Sequence, residues 1–341
     1  MPPLYILQQN TKLRIRNRRL QVERDPAGGE PAGQPETLLS VPLAQVTQVV
    51  LFGNIGLTTP AIDALLAQES DVTFLTARGE YRGRLVGPVT PHVPLRRAQY
   101  TCLGKPDFVL AMAGGFVRSK LQHQRALLQR HQRENPDPLV GDAIGQLAEA
   151  LESLPRKVAV SSLMGLEGSA TAAYFRALRS FFAPEWHFED RNRRPPADPV
   201  NVLLSFGYTL LAQAAAGAVE AVGLDPYAGF LHEVAYNRPA LALDLMEEFR
   251  PVIDGLVLWV CRGGQITTAD FTPGPPERPV ILGEEGQRRF LRAYEERMDS
   301  SFTHPIANVK LPLRSCLIEQ ARQLASRLQN GLPGYQGMGF R

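Results

Sequence analysis

The segment LHEVAYNRPALALDLMEEFRP, residues 231–251, is the most informative part of the sequence for the fold and for a candidate functional site. Its centre is typical of one short helix, because Asn237 is a suitable cap, Pro239 suits the first turn and Pro251 stops the run. A rotation of about 100° per residue separates apolar from acidic positions. The apolar side carries Leu241, Leu245, Met246 and Phe249, and the opposite side carries Asp244, Glu247 and Glu248.

The acidic side of this helix has two interpretations. Charged residues on one side of a helix most often face solvent and need no function. Alternatively, carboxylate oxygens and the imidazole of His232 bind a divalent cation. This ligand set suits Mn²⁺ or Mg²⁺ better than structural Zn²⁺, which favours thiolates. The second interpretation requires a further carboxylate from elsewhere in the chain.

The composition indicates an ordinary folded protein. The 341 residues are 44% hydrophobic and 21% charged, which suffices for two domains with their own cores. We expect no apolar run to reach the ~18–20 residues that cross a bilayer. The start, Met-Pro-Pro-Leu-Tyr, lacks a signal-peptide core. These features predict a cytoplasmic protein without a membrane segment.

The cysteine and arginine contents bear on whether the chain is a disulfide-rich, zinc-binding or nucleic-acid-binding protein. Cys102, Cys261 and Cys316 are widely spaced and odd in number, which argues against a disulfide framework and a zinc cluster. The chain has 32 arginines and 5 lysines, and guanidinium groups pair well with phosphate. A GC-rich genome would produce the same bias. The composition is therefore compatible with nucleic-acid binding without establishing it.

Residues 1–90 show short strand patterns separated by Gly, Pro or polar turns. The predicted strands are residues 4–7, 13–16, 20–23, 38–41, 46–52, 72–75 and 81–86. One helix interrupts them, with Thr59 as its cap and Pro60 at its first position. This layout predicts a small β-sandwich domain over residues 1–90.

After the proline-rich residues 87–94 the apolar period changes from two to about 3.6. Helices are predicted at residues 108–133, 138–154, 158–182, 201–222, 280–298 and 312–328, with 256–262 as helix or strand. The nearly all-apolar helix at 201–222 is expected to be a buried spine. The fold class predicted is α+β, with a larger, all-helical catalytic domain over residues 91–341.

Two basic segments are candidates for DNA contact. Arg191, Arg193 and Arg194 precede a pair of prolines, and they either contact phosphate or form a solvated charge run balanced by neighbouring acids. Arg238 lies just before the acidic helix. It either contacts phosphate or pairs with the acids of that helix.

Glu167 is the candidate for the further carboxylate. It lies between Gly165 and Gly168 in a helical pattern, where each glycine costs about 1 kcal/mol relative to alanine. Close approach of a ligand or another backbone would explain the two glycines, and a tight helix crossing explains them equally well.

Several segments together are similar to one known family. They are GLEG at 165–168, RPPADPVN at 194–201, GLDPYAGFLH at 223–232, LALDLMEEFRP at 241–251 and EQAR at 319–322. They occur in the family's order and, with the β-then-helical layout, cover nearly the whole chain. The chain therefore resembles the CRISPR adaptation integrases, which insert new spacers into a CRISPR array.

The resemblance implies a site for Mn²⁺ or Mg²⁺ with Glu167, His232 and Glu247 as the ligands. Asp244 is the competing ligand, and we place it in the catalytic site beside the metal. The implied reaction is attack of a prespacer DNA 3′-OH on a phosphodiester at a repeat boundary.

The resemblance also implies partners. These are a homodimer formed through the β domain and a small ferredoxin-like protein that completes a heterohexamer. Two other functions stay open: a general metal-dependent nuclease acting on branched DNA, and a non-enzymatic DNA-binding scaffold.

Overall fold

The computed structural model describes residues 3–25, 35–77, 79, 81–85, 87, 92–192 and 195–339. Contacts between Cα atoms divide the chain into two compact units, Met1–Thr90 and Pro91–Arg341. The first unit contains two small sheets and the second is mainly helical. The fold class is therefore α+β, as predicted.

The first unit consists of strands and one helix: β1 (Leu4–Ile6), β2 (Thr11–Arg16), β3 (Arg19–Arg24), β4 (Glu36–Pro42), β5 (Gln48–Phe52), β6 (Ile55–Leu57), α1 (Thr59–Ala67), β7 (Asp71–Leu75) and β8 (Tyr81–Leu85). One sheet has the order β1-β5-β7-β8, in which β8 is antiparallel to β7 and the other pairs are parallel. The other has the order β4-β3-β2-β6, in which β2 and β6 are parallel.

Both sheets and α1 contribute to one core, because alternate side chains of each strand point to the same side. Members of this core include Ile6, Leu13, Leu20, Val22, Val49, Leu51, Leu65 and Val72. The face-to-face packing of a sandwich stays a prediction.

Two details of the first unit differ from the sequence prediction. Strand β6 was not predicted, because three residues are too few to show an alternating pattern. The helix cap is Thr58, and Thr59 is already the first residue of α1.

The second unit contains these helices: α2 (Val93–Leu103), α3 (Pro106–Glu134), α4 (Pro138–Ser153), α5 (Val160–Arg179), α6 (Pro199–Ala221), α7 (Ala240–Met246), α8 (Arg250–Arg262), α9 (Glu284–Asp299) and α10 (Leu313–Gln329). Two antiparallel hairpins join them, β9 (Phe271–Pro273) with β10 (Val280–Leu282) and β11 (Ser301–His304) with β12 (Val309–Pro312).

The prediction of an all-helical second unit is therefore wrong in part. Residues 280–282 form strand β10 rather than the start of a helix, and strands this short show no period in the sequence. Helix α2 was not predicted, and residues 256–262 are the second half of α8.

The quoted segment folds differently from the single helix predicted. Helix α7 passes into a 3₁₀ turn, Glu247–Phe249, which leads directly into α8. Pro251 lies in the first turn of α8, where its missing N–H needs no partner, so it begins a helix instead of stopping one. The N-cap position of α7 is Pro239, whereas Asn237 adopts a positive φ of 56° in the preceding turn.

All three acids of this segment are buried. The exposed fractions of Asp244, Glu247 and Glu248 are 0%, 4% and 0%. The interpretation of these acids as a solvated helix face is therefore wrong. Buried carboxylates need hydrogen bonds or cations nearby, which makes their partners the central question.

Helix α6 does reach the length and apolar composition of a membrane span, so the expectation that no run is long enough is wrong. Of its most apolar 18-residue window, 67% is buried inside the structure. This agrees with the predicted buried spine, because side chains covered by neighbouring elements are unavailable to lipid.

Candidate active site

Glu247 receives two cations on its two carboxylate oxygens. Arg250 Nε donates a hydrogen bond of 2.8 Å to Oε1, and the Lys120 ammonium lies 2.6 Å from Oε2. Burial disfavours the charged form, but the charges of Arg250, Lys120 and His232 outweigh it and hold the pKa of Glu247 well below its usual value. Glu247 is therefore an anion at neutral pH.

Lys120 joins carboxylates from two different elements. Its Nζ lies 2.5 Å from Glu167 Oε1 and 2.6 Å from Glu247 Oε2, and its side chain is only 6% exposed. Lys120 was not among the residues predicted from the sequence, although its position carries a signal. It lies one turn from Phe116 and from Gln124 on the buried side of α3, and a lysine in that position requires a carboxylate partner.

Glu167 lies on α5 with its side chain 24% exposed. Thr171, one turn later, donates a hydrogen bond of 2.9 Å from its hydroxyl to Oε1. A Cβ added at Gly165 or Gly168 would meet no atom of the described chain within 4 Å. The tight helix crossing is therefore excluded at these glycines. The space at these two glycines is open among the described residues, which leaves room for a ligand to approach α5 there.

Asp244 binds the loop that carries His232. Its carboxylate accepts the backbone N–H groups of Phe230, Leu231 and His232 at 2.5, 3.0 and 2.9 Å. His232 Nδ1 lies 2.8 Å from the same carboxylate. Because a carboxylate only accepts, Nδ1 donates a proton to it, so in the neutral imidazole the lone pair is on Nε2. That Nε2 lies 3.8 Å from Glu247 Oε1.

Gly229 makes this arrangement sterically possible. A Cβ at this position would lie 2.6 Å from the carbonyl carbon of Ala240 and 2.9 Å from Asp244 Oδ2. The glycine of the sequence Gly-Phe-Leu-His is therefore required by the backbone, because any larger residue would keep the loop from approaching the start of α7 this closely.

A second layer of side chains supports Arg250. Its guanidinium lies over the ring of Tyr208, 4.6 Å from the centroid. The hydroxyls of Tyr208 and Tyr174 both donate to Asp254, the latter at 2.8 Å. Burial raises the pKa of Asp254 to about 6 against the effect of these hydrogen bonds. Tyr208 therefore packs in the core and also lies against Arg250, the cation that faces Glu247.

Glu248 faces away from these residues. Its Oε1 accepts from the Tyr335 hydroxyl and from Gln320 Nε2 at 2.9 Å, and its Oε2 accepts the Met338 N–H at 2.8 Å. Burial raises the pKa of Glu248 to about 7 against these bonds. Arg250 pairs with Glu247 and not with Glu248, whose role is to hold the segment 332–339.

The predicted DNA-contacting arginines have different surroundings. Arg191 donates to Asn201 Oδ1 at 2.7 Å and to Ser205 Oγ at 3.1 Å, so its guanidinium is anchored to α6. Arg238 is partly exposed in the turn between His232 and α7. Arg193 and Arg194 lie outside the described residues. Contact of these four arginines with DNA stays a prediction.

The three predicted ligands share one neighbourhood. Among the described residues, no three His, Cys, Asp or Glu side chains stand close enough together to hold an ion as they are. The Lys120 ammonium stands between the two glutamates. Nevertheless the donors fit a hard divalent cation. Glu247 Oε2 is buried against the Lys120 ammonium, and the neutral imidazole of His232 carries its lone pair on Nε2.

Comparison with known proteins shows which proteins this chain is similar to. The sequence profile of the family described as "CRISPR associated protein Cas1" matches residues 4–296. The "CRISPR-associated endonuclease Cas1 3" of Thermus thermophilus is 37% identical over 342 residues, which cover 99% of this chain and 97% of the relative.

Two further proteins are similar over most of this chain and are themselves longer. The "CRISPR-associated exonuclease Cas4/endonuclease Cas1 fusion" of Rhodospirillum rubrum is 38% identical over 87% of this chain and 52% of the fusion. In the solved "Cas6-RT-Cas1–Cas2 complex", a chain superposes with a TM-score of 0.82 at 26% identity. The match covers 99% of this chain and 36% of that one.

Proposed function

The chain belongs to the Cas1 family of CRISPR-associated proteins, and from this premise we propose that it is a metal-dependent DNA endonuclease and integrase of CRISPR adaptation. In the proposed reaction the 3′-OH of a prespacer end attacks a phosphodiester at a repeat boundary. One phosphodiester forms, one breaks, and the 3′-oxygen of the cut strand leaves with a proton. Water in place of the 3′-OH gives endonuclease activity.

One observation carries the proposal. Carboxylates from α5 and from the turn after α7 meet at a single ammonium, and an imidazole nitrogen lies 3.8 Å from one of them. A fold has no structural need to bring two acids and a histidine together around one lysine, because removing charges from water requires compensation. Glu247 is buried and its pKa is held well below its usual value, and groups perturbed in this way cluster at functional sites.

Glu167, His232 and Glu247 would hold Mn²⁺ or Mg²⁺. When bound, the cation would neutralise phosphate charge and assist ionisation of the attacking oxygen. The other residues prepare the ligands. Arg250 keeps Glu247 ionised, and Asp244 keeps the lone pair of the neutral His232 imidazole on Nε2. Asp244 is therefore a positioning residue and not a ligand, since its oxygens already accept four donors.

Arg238, Arg191, Arg193 and Arg194 are proposed to contact DNA phosphates. Guanidinium groups bind phosphate with two parallel hydrogen bonds, and such contacts position DNA without reading its sequence. The partly exposed Arg238 is next to the loop of His232, which supports its assignment to the DNA strand at the site.

The proposed partners follow from the family. Residues 1–90 are proposed to form a β-sandwich that mediates a homodimer. Two such dimers would flank a dimer of a small ferredoxin-like protein in a heterohexamer. The solved complex of a related chain names Cas1 together with Cas2, which supports a second protein in the assembly. Action on chromosomal DNA would require a cytoplasmic location.

The decisive experiment separates joining from cutting. Purified protein is incubated with Mn²⁺, repeat-containing DNA and a labelled prespacer, with and without the partner protein. We expect joined product from a 3′-OH end and none from a 3′-deoxy end. Glu167→Gln and His232→Ala should lose product but keep DNA binding. The control Glu149→Gln, which removes an exposed acid on α4, should keep both.

Other results would favour the alternatives. Cut but never joined DNA under all these conditions would indicate a general nuclease acting on branched DNA. Unchanged product in both site variants would remove these residues from catalysis. DNA binding without any product would indicate a non-enzymatic scaffold.

A further inference from the structure

Lys120 is a buried cation at the centre of the proposed metal site. It projects from α3, whereas the carboxylates that it joins belong to α5 and to the turn after α7. Both N–O distances, 2.5 and 2.6 Å, are those of close ion pairs. The ammonium therefore occupies the space between Glu167 and Glu247.

The oxygens of Glu247 are not equivalent. Its Oε1 already accepts the hydrogen bond of Arg250, so Oε2 is the oxygen left for another cation. Oε2 is the atom that faces the Lys120 ammonium. A divalent ion shared by Glu167 and Glu247 would have to stand where that ammonium now stands, and two cations in contact repel each other strongly inside a protein.

We infer that Lys120 is an internal counter-cation that a divalent metal must displace before it can bind Glu167 and Glu247. This inference rests on the proposed function, because it concerns the same site. Two consequences follow. Lys120 stabilises the fold when metal is withheld, since otherwise two carboxylates would face each other with no cation between them. It also weakens metal binding, since its own ion pairs must break first.

The test measures metal binding and not activity. EDTA-treated, full-length protein is titrated with Mn²⁺, and free Mn²⁺ is followed by electron paramagnetic resonance. Lys120→Met and Lys120→Gln should each bind Mn²⁺ at least about tenfold more tightly than the unsubstituted protein, because no cation is displaced. Lys12→Met removes an exposed lysine paired with Asp25 in the first unit, and it should leave the affinity unchanged.

Thermal unfolding in EDTA supplies a second readout. Lys120→Met should melt at a lower temperature than the unsubstituted protein, and Mn²⁺ should restore more of its stability than it adds to the unsubstituted protein. The melting temperature of Lys120→Gln in EDTA should fall less than that of Lys120→Met, because the glutamine amide can still donate hydrogen bonds to a carboxylate.

The unsubstituted protein gives an independent check that needs no variant. The buried amine of Lys120 should resist reductive methylation in EDTA and react faster when Mn²⁺ is added, as measured by mass spectrometry of the peptide. No increase in that rate, or unchanged or weaker Mn²⁺ binding by both variants, would overturn the inference. If the unsubstituted protein itself binds no Mn²⁺ and joins no DNA, the proposed function fails instead.

Discussion

Glu247 and Glu248 are consecutive residues of one 3₁₀ turn, yet the pKa values of their buried carboxylates move in opposite directions. Burial acts on both. Lys120 and Arg250 reverse its effect at Glu247, whereas the hydrogen-bond donors to Glu248 among the described residues are neutral groups such as the Tyr335 hydroxyl. In one turn, Glu247 therefore presents an anion to the candidate site. Glu248 faces the C-terminal segment, and its pKa of about 7 means that a large fraction of it is protonated at neutral pH.

Tyr335→Phe tests the contact between Glu248 and that segment. The change removes a hydroxyl that donates to the buried carboxylate but keeps the stacking of the ring on Phe116 at 4.2 Å. We expect a loss of about 1–3 kcal/mol in the free energy of unfolding, measured by urea denaturation. Tyr294→Phe, a buried tyrosine of α9 outside this network, is the control and should change stability by less. Equal effects of the two variants would contradict the assigned role.

Asp244→Asn tests whether Asp244 acts through His232. An amide cannot accept all four hydrogen bonds, so we expect Mn²⁺ affinity to fall about 10–100-fold. The double variant Asp244→Asn with His232→Ala should bind Mn²⁺ no more weakly than His232→Ala alone, because Asp244 would affect the metal only through His232. Additive losses in this double-mutant cycle would instead make Asp244 a direct ligand.

Asp254→Asn should change the pH dependence of stability. Burial raises the pKa of Asp254 from 3.8 to about 6, so the folded chain binds a proton that the unfolded chain releases. The stabilisation is therefore complete below about pH 4 and is lost as pH rises to about 6, with a difference of about 3 kcal/mol at most. The groups that face Asp254 are Tyr174 and Tyr208, with the charges of Arg250 and Lys120 nearby.

Urea denaturation between pH 4 and pH 7.5 measures this dependence. Asp254→Asn should remove that part of the slope. Asp142→Asn, an exposed acid of α4, should leave the slope as in the unsubstituted protein. A slope unaffected by Asp254→Asn would show that other groups cause it.

Gly165→Ala and Gly168→Ala should each stabilise the protein. Alanine is favoured in helices by about 1 kcal/mol, and the added methyl group meets no atom of the described chain within 4 Å at either position. The control is Gly207→Ala on α6, where a Cβ would lie 2.6 Å from Ile253 and 3.2 Å from Phe290; this variant should be less stable. Lower melting temperatures for the α5 variants would show that these glycines have a packing role after all.

The sequence predicted the structure well where that structure depends on residues close together along the chain. Its alternating segments predicted most strands of the first unit, and its 3.6-residue period predicted most long helices, because these patterns record which side of an element is apolar. The motifs selected Glu167, His232 and Glu247, which the structure brings into one neighbourhood. Their role as metal ligands stays a prediction. Several short strands were not predicted, because three or four residues are too few to show an alternating pattern.

Only the tertiary structure decided which group compensates each buried charge. Lys120 and Glu167 are 47 positions apart on different helices, and no local pattern states that they meet. The sequence placed the three acids of the quoted segment on one helix face, but packing turned Glu247 toward a lysine, Glu248 toward the C-terminal segment and Asp244 under the loop of His232. The physical reason is that periodicity shows which side of an element is covered, whereas the charge state of a buried group depends on what covers it.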